Sequence, residues 1–263
     1  MTTASEGFQD SWEDHARWWQ DEFTEGADAE YVEQIVPLCV EHLSGANRIL
    51  DLGAGEGQIS RALRRHGPAS TEVVALDPAS AQVTEAARRG GGIRVVQGSA
   101  SALPFAQGSF DAVLVCLVLE HVDDLDGTVA EVARVLEDSG RLVLLLNHPL
   151  LQTPGSGWID DHVLDPPEQY WRLGDYLIEA ESVEEVSAGV RVRFLHRPLH
   201  RYVNALAGRG LFVRRMLEPA PPPGFLARSE SYAAARHIPR LLLLVATREA
   251  SAAPAAATPL SCA

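Results

Sequence analysis

Short apolar runs alternate along this chain with amphipathic stretches, and that alternation predicts strands and helices in turn. Val32, Ile35, Val36, Cys39, Val40 and Leu43 recur at helical spacing, with Pro37 inside the pattern where a kink is expected. Residues 48–52 form a first apolar strand, and residues 58–66 a helix that stops near His66-Gly67-Pro68. Residues 72–77 are a second strand ended by Pro78. A helix over 79–89 is stopped by Gly90-Gly91-Gly92, and a third strand covers 93–96. Residues 109–116 are nearly all apolar, as a strand buried on both faces should be. Val129, Val132, Ala133 and Leu136 mark an amphipathic helix over 126–137. Ser139-Gly140 ends it, and a fifth strand over 141–146 closes on Asn147-His148-Pro149. Strand and helix alternating with short links predict an α/β unit, a parallel sheet covered by helices on both faces. In such a sheet a ligand lies beyond the carboxyl ends of the strands.

The alternation breaks on either side of this unit. Residues 1–45 carry Trp12, Trp18, Trp19 and Phe23 in a charged setting before the first helix, too aromatic for a disordered tail. They form an N-terminal helical cap that either closes over a pocket or packs on the surface. Residues 46–149 are the core. Residues 150–195 are polar, aromatic and punctuated by prolines, with Trp158, His162, Tyr170 and Tyr176 among them. This reads as an insertion forming a lid, the usual place for residues that choose a substrate. Residues 196–249 return to the sheet, with a helix over 198–208 and strands over 211–217 and 240–247. Residues 250–263, rich in Ala, Pro and Ser, are expected to be disordered.

The formal net charge of −14 disfavours nucleic acid or an anionic membrane as partner. The longest apolar runs, 142–146 and 241–246, are too short to span a bilayer, and the first residues lack a basic-then-apolar leader. A soluble cytoplasmic protein is expected. Cys39, Cys116 and Cys262 are scattered and fit neither a disulfide framework nor a metal site.

The chemistry concentrates where the first strand ends, at Asp51-Leu52-Gly53-Ala54-Gly55-Glu56-Gly57. Glycines there let the turn adopt positive φ and leave bare backbone against a ligand. The helix that follows aims free N–H groups at the same place. A dinucleotide site wants G-x-G-x-x-G, yet Gln58 stands where its third glycine belongs. Asp51 suits an ammonium group and would repel a phosphate. Asp77 ends the second strand about twenty residues on, where a carboxylate can accept both hydroxyls of a ribose.

The pattern D-x-G-x-G-x-G, with Asp77 and the Phe110-Asp111-Ala112-Val113 start of the fourth strand, resembles the class I S-adenosylmethionine-dependent methyltransferases. The resemblance covers residues 48–147 well and 199–247 loosely. It implies a Rossmann-like, seven-stranded, mostly parallel sheet with an antiparallel last strand. It implies S-adenosylmethionine as cofactor, with S-adenosylhomocysteine as product. It also implies that Asp51, Gly53, Ala54, Gly55, Gly57, Asp77, Pro78, Ser99, Ala100, Cys116 and Leu117 bind the cofactor. Ser99 departs from the family, where an Asp commonly bonds the adenine amino group.

Methyl transfer mainly needs alignment and exclusion of water, because the leaving sulfur is already cationic. A hydroxyl or acidic carbon also needs a base, which a histidine supplies near neutral pH. His148, just past the fifth strand, is the first candidate, followed by His162, Tyr170 and His121. Trp19, His121, Trp158, His162 and Tyr170 are the candidate acceptor contacts. No Asn/Asp-Pro-Pro-aromatic motif follows the fourth strand, so a small, partly apolar acceptor methylated on oxygen or carbon is favoured over a nucleobase. Two other classes stay open: a nicotinamide oxidoreductase, which shares the fold and Asp77, and a binding protein on this fold that transfers no methyl group.

Overall fold

The computed structural model describes residues 12–249, so the tail expected to be disordered lies outside the described residues. After helix α1 (Trp12–Phe23), a π turn over Tyr31–Ile35 passes directly into α2 (Val36–Leu43). Pro37 lies in the first turn of α2 and has no N–H to give back to the π turn that runs into it. The kink expected at Pro37 is thus a change of helix type just before it.

Then come β1 (Arg48–Leu52), α3 (Gln58–His66), β2 (Glu72–Asp77), α4 (Ser80–Arg89), β3 (Arg94–Gln97), β4 (Phe110–Cys116), α5 (Leu125–Val135) and β5 (Leu136–Asn147). The helix α5 ends two residues before the expected point. Leu136 is already extended and pairs with Phe110, so β5 opens there. Residues 150–196 form two hairpins, β6 (Gly157–Asp161) with β7 (Glu168–Arg172), and β8 (Ala180–Ser187) with β9 (Val190–His196). The chain closes with α6 (Leu199–Ala207), β10 (Leu211–Leu217), α7 (Pro223–Leu226), α8 (Glu230–Ala234) and β11 (Leu241–Arg248).

The main sheet has seven strands in the order β10-β11-β5-β4-β1-β2-β3. β1 runs parallel to β2 and to β4, and β4 parallel to β5. β11 runs antiparallel to both its neighbours, as expected of the last strand. The order reverses between β1 and β4, and that reversal opens a crevice at their carboxyl ends.

Side chains alternate across each strand and divide the core in two. Leu50, Leu52, Val113 and Val115 meet Val129 and Val132 of α5 and Tyr202 and Leu206 of α6. On the other face Ile49, Ala112, Leu114 and Cys116 meet Ile35, Cys39 and Leu43 of the N-terminal helices and Ile59 and Leu63 of α3. The N-terminal segment is also tied to the C-terminal one. Arg228 and Arg240 reach the buried carboxylates of Asp28 and Glu30 at 2.6 and 2.8 Å. Among the described residues no helix is long and apolar enough to cross a membrane.

Candidate functional site

A cavity of about 380 Å³ opens at the carboxyl ends of β1, β2 and β4, within the size range of small-molecule sites. Its inner corner is the glycine turn. The N–H groups of Gly53 and Ala54 both donate to the Leu76 carbonyl, which holds the turn against β2. At Gly53 φ is +72°, and a Cβ there would drive into the Val118 side chain. The Asp77 carboxylate accepts from the Gly55 N–H at 2.8 Å and from the Ala79 N–H at 2.9 Å. An ionised carboxylate has about four acceptor positions, so Asp77 keeps capacity for a ligand.

Three carboxylates converge on this corner: Asp51, Glu56 and Asp77, each nearly inaccessible to solvent. Burial pushes Asp51 up to about 6, opposed by the hydroxyl of Ser60, which donates to it at 2.6 Å. Burial also raises Asp77, against its two backbone bonds. Glu56 pairs with Arg61 and, at 3.0 Å, with Arg89, yet its Oε1 has no partner among the described residues. Buried acids with unused acceptor capacity favour a ligand that brings positive charge and hydroxyl groups, and disfavour a pyrophosphate.

Ser99, Ala100 and Ser101 form one side of the cavity, and Cys116, Leu117 and Val118 another. Leu117 has φ of +56°, rare for a residue with a Cβ, and its N–H donates to the Leu145 carbonyl at 2.8 Å. The hydrogen bond with Cys39, together with burial, raises the Cys116 thiol.

The outer half is aromatic, and α1 supplies much of it. Trp12 and Trp19, seven residues apart on one face, stand edge to face at 5.6 Å and line the cavity with Tyr31. Trp19 also stacks on Phe23 at 4.5 Å. The helix is latched at several points. The Glu13 carboxylate accepts from the Ser80 hydroxyl at 2.7 Å and the Ala81 N–H at 3.1 Å, capping α4 from outside. Gln20 donates to Gln82, and His15 Nε2 donates to the Arg191 carbonyl on β9. Behind the cavity, buried Arg197 donates to the carbonyls of Leu119, Val122 and Asp123, and holds the segment after β4 in place.

Of the residues expected to hold a cofactor, all but Gly57 line this cavity. Gly57 sits at the start of α3 with φ of +81°, against the Ile93 side chain. Trp19 and His121 also line it. His148 does not. Its Nδ1 accepts from the Leu150 N–H at 3.1 Å, so the proton is on Nε2, which donates to Glu218 at 2.8 Å. Both ring nitrogens are engaged, and the ring is buried beside the end of β10.

Trp158, His162 and Tyr170, expected as acceptor contacts, are likewise absent from the lining. Trp158 and Trp171 are cross-strand partners in the first hairpin and pack on each other, edge to face at 5.7 Å. Tyr170 is exposed, as is His162. What covers the crevice is α1. Glu13, Tyr31 and Arg197 were not legible as site residues. The i, i+7 spacing of Trp12 and Trp19 was the available signal for α1, whereas nothing local marks an arginine bonded to carbonyls more than seventy residues away.

Residues 50–144 match the family model described as a methyltransferase domain. The chain is 35% identical over 161 residues to a demethylmenaquinone methyltransferase of Thermobifida fusca, covering 55% of this chain and 66% of that one. It is 36% identical over 124 residues to a demethylmenaquinone methyltransferase of Thermus thermophilus, covering 46% and 55%. The chain thus spans between about half and two thirds of the length of these curated relatives. Among solved structures, an S-adenosylmethionine-dependent methyltransferase from Mesorhizobium loti superposes with a TM-score of 0.67 at 26% identity, covering 81% of this chain and 96% of that one.

Proposed function

Because the chain belongs to the class I S-adenosylmethionine-dependent methyltransferase family, we propose that it methylates a small, partly apolar organic acceptor on oxygen or carbon. One observation carries this reading: a corner of three buried carboxylates opens into the same cavity as a wall of aromatic rings. The corner fits the cofactor and the wall fits the acceptor.

The residues present suit S-adenosylmethionine. Asp77 would take the ribose hydroxyls. Asp51, Glu56 and the main chain of residues 53–55 would hold the ammonium end, with Ser99 and Ala100 beside the base and Cys116 and Leu117 beside the methionyl chain. When bound, the cofactor would supply a methyl group on a cationic sulfur. The protein's part is to fix the acceptor at that methyl and exclude water, which the apolar rings of α1 and Tyr31 do. A nicotinamide dinucleotide would have to place its pyrophosphate beside Asp51 and Asp77, neither of which has a cationic partner among the described residues, and that is electrostatically unfavourable.

The proposal is tested with a labelled methyl donor and a panel of acceptors that includes a demethylmenaquinone, the compound the two curated relatives are named for. Label should move to one or more acceptors. Tight binding of S-adenosylhomocysteine with no label transferred to any acceptor would favour a binding protein on this fold.

A further inference from the structure

His121 ends the single helical turn Leu119–His121 that follows β4, and its ring forms part of the cavity wall. Its Nδ1 lies 2.9 Å from the Arg193 carbonyl oxygen on β9. A carbonyl only accepts, so Nδ1 carries the proton and donates it. Burial lowers the ring below the ordinary histidine range, with the neighbouring Glu120 charge and the Arg193 bond opposing. The ring is therefore neutral at pH 7, with its proton on Nδ1 and a lone pair on Nε2. No described residue forms a hydrogen bond to that Nε2.

The ring is also held from turning. Trp12 meets it edge-on with centroids 4.9 Å apart, and Phe194 packs against it at 4.9 Å. The same Trp12 stands edge to face with Trp19, so two indole rings share the cavity wall with His121. Ionisable groups near the ring are Glu120 in its own turn and Asp51, Asp123 and Asp124 in the cavity lining. Arg193 turns its guanidinium to Asp123 and Glu181, and Glu13 on α1 is engaged at the start of α4. The Glu120 charge favours a positive charge on the ring once a proton arrives, while the Arg197 guanidinium is spent on the carbonyls of Leu119, Val122 and Asp123 beside it.

Resting on the methyltransferase reading above, we propose that Nε2 of His121 takes the proton of the acceptor, and that the acceptor is a phenol: an aromatic ring, seated against Trp12 and Trp19, whose hydroxyl is the nucleophile. The acceptor oxygen forms a bond to the methyl carbon while that carbon's bond to sulfur breaks, its electron pair going to sulfur. The hydroxyl proton passes to Nε2. One positive charge, first on sulfur, ends on the imidazolium, so the cavity's net charge is unchanged. Acidity selects the class. A phenol ionises near pH 10, about four units above a histidine, a gap that narrows as the oxygen gains its new bond. An aliphatic hydroxyl, with an acidity close to the value of roughly 15.7 for water, is far beyond so weak a base.

The probe is para-nitrophenol, whose phenol and phenolate forms differ in colour, added to the full chain saturated with S-adenosylhomocysteine. Bound to the unaltered protein, its ionisation should be at least about tenfold more favourable, one pH unit, than when bound to His121→Asn. Asparagine keeps a side-chain N–H for the Arg193 carbonyl and lacks Nε2. Nuclear magnetic resonance of isotopically labelled histidine in the unaltered protein should independently show the neutral Nδ1–H form at pH 7. Equal ionisation in protein and variant, failure of the probe to bind, or an Nε2–H ring overturns the proposal. If S-adenosylhomocysteine itself does not bind, the methyltransferase reading fails. If it binds and the probe is unmoved, only the role of His121 fails.

Discussion

Asp51 and Asp77 stand at the ends of adjacent strands, and burial raises both for the same reason, yet they should behave differently in a titration. Asp77 is held by two backbone N–H groups and stays available to a ligand's hydroxyls. Asp77→Ala should weaken S-adenosylhomocysteine binding by about 1–3 kcal/mol through lost charged hydrogen bonds. Calorimetric titration of the folded variant checks this, and an unchanged affinity would remove Asp77 from the site. Asp51 titrates at about 6 in the ligand-free protein, and only its anion attracts an ammonium group. Cofactor affinity should therefore fall as pH drops below 6, by about tenfold per unit once Asp51 is mostly protonated. The sign for folding is opposite. A carboxyl raised in the folded state contributes stability that is fully present below its unfolded value, near 4, and is lost as pH rises through about 6. Between pH 4 and 6 the Asp51 contribution should thus stabilise the free protein as it weakens binding. Affinity that is flat from pH 7 to 5 would contradict the role given to Asp51.

At the scale of elements, the crevice is closed by α1 and braced by the hairpin of β8 and β9. The helix α1 carries two rings into the cavity and is fastened by side chains to α4 and β9. Glu13 accepts from both a hydroxyl and an N–H at the start of α4. Glu13→Gln keeps the size and removes the charge that favours a helix N-terminus. Hydrogen exchange across residues 12–23 should speed up several-fold in this variant, while exchange in β1 and β4 stays as it was. Exchange in α1 that does not change would mean that Glu13 is not a latch. The bracing from this hairpin comes from the Arg193 carbonyl of β9 on His121, and from the Arg197 side chain just past β9 on three carbonyls after β4.

For the whole molecule, the first hairpin is the contrast. Residues 157–172 pair with one another and contribute nothing to the cavity lining, and Val163 at its turn is 94% exposed. Replacing 157–172 by a short Gly-Ser linker should leave S-adenosylhomocysteine affinity unchanged, a result that titration would reveal; its loss would restore the lid.

Much of the core was legible because its signals are local. An apolar run before Gly53, an acid ending β2 and the burial of β4 on both faces each occupy a few consecutive residues. What misled were properties that depend on distant partners. His148 stands at the expected strand end, but its direction is set by Glu218, seventy residues later. Trp158 reads as a lid aromatic until strand register seats it on Trp171. His121 was one candidate among several, and the Arg193 carbonyl singles it out by fixing its proton, a contact invisible to periodicity.

The most direct measurement is isothermal titration of the full chain with S-adenosylhomocysteine and, separately, with NAD. S-adenosylhomocysteine is expected to bind at one site per chain, with an affinity that falls below pH 6, and NAD to give no heat of binding. Tight binding of NAD together with no binding of S-adenosylhomocysteine would contradict the assignment of the carboxylate-lined crevice to a sulfonium cofactor.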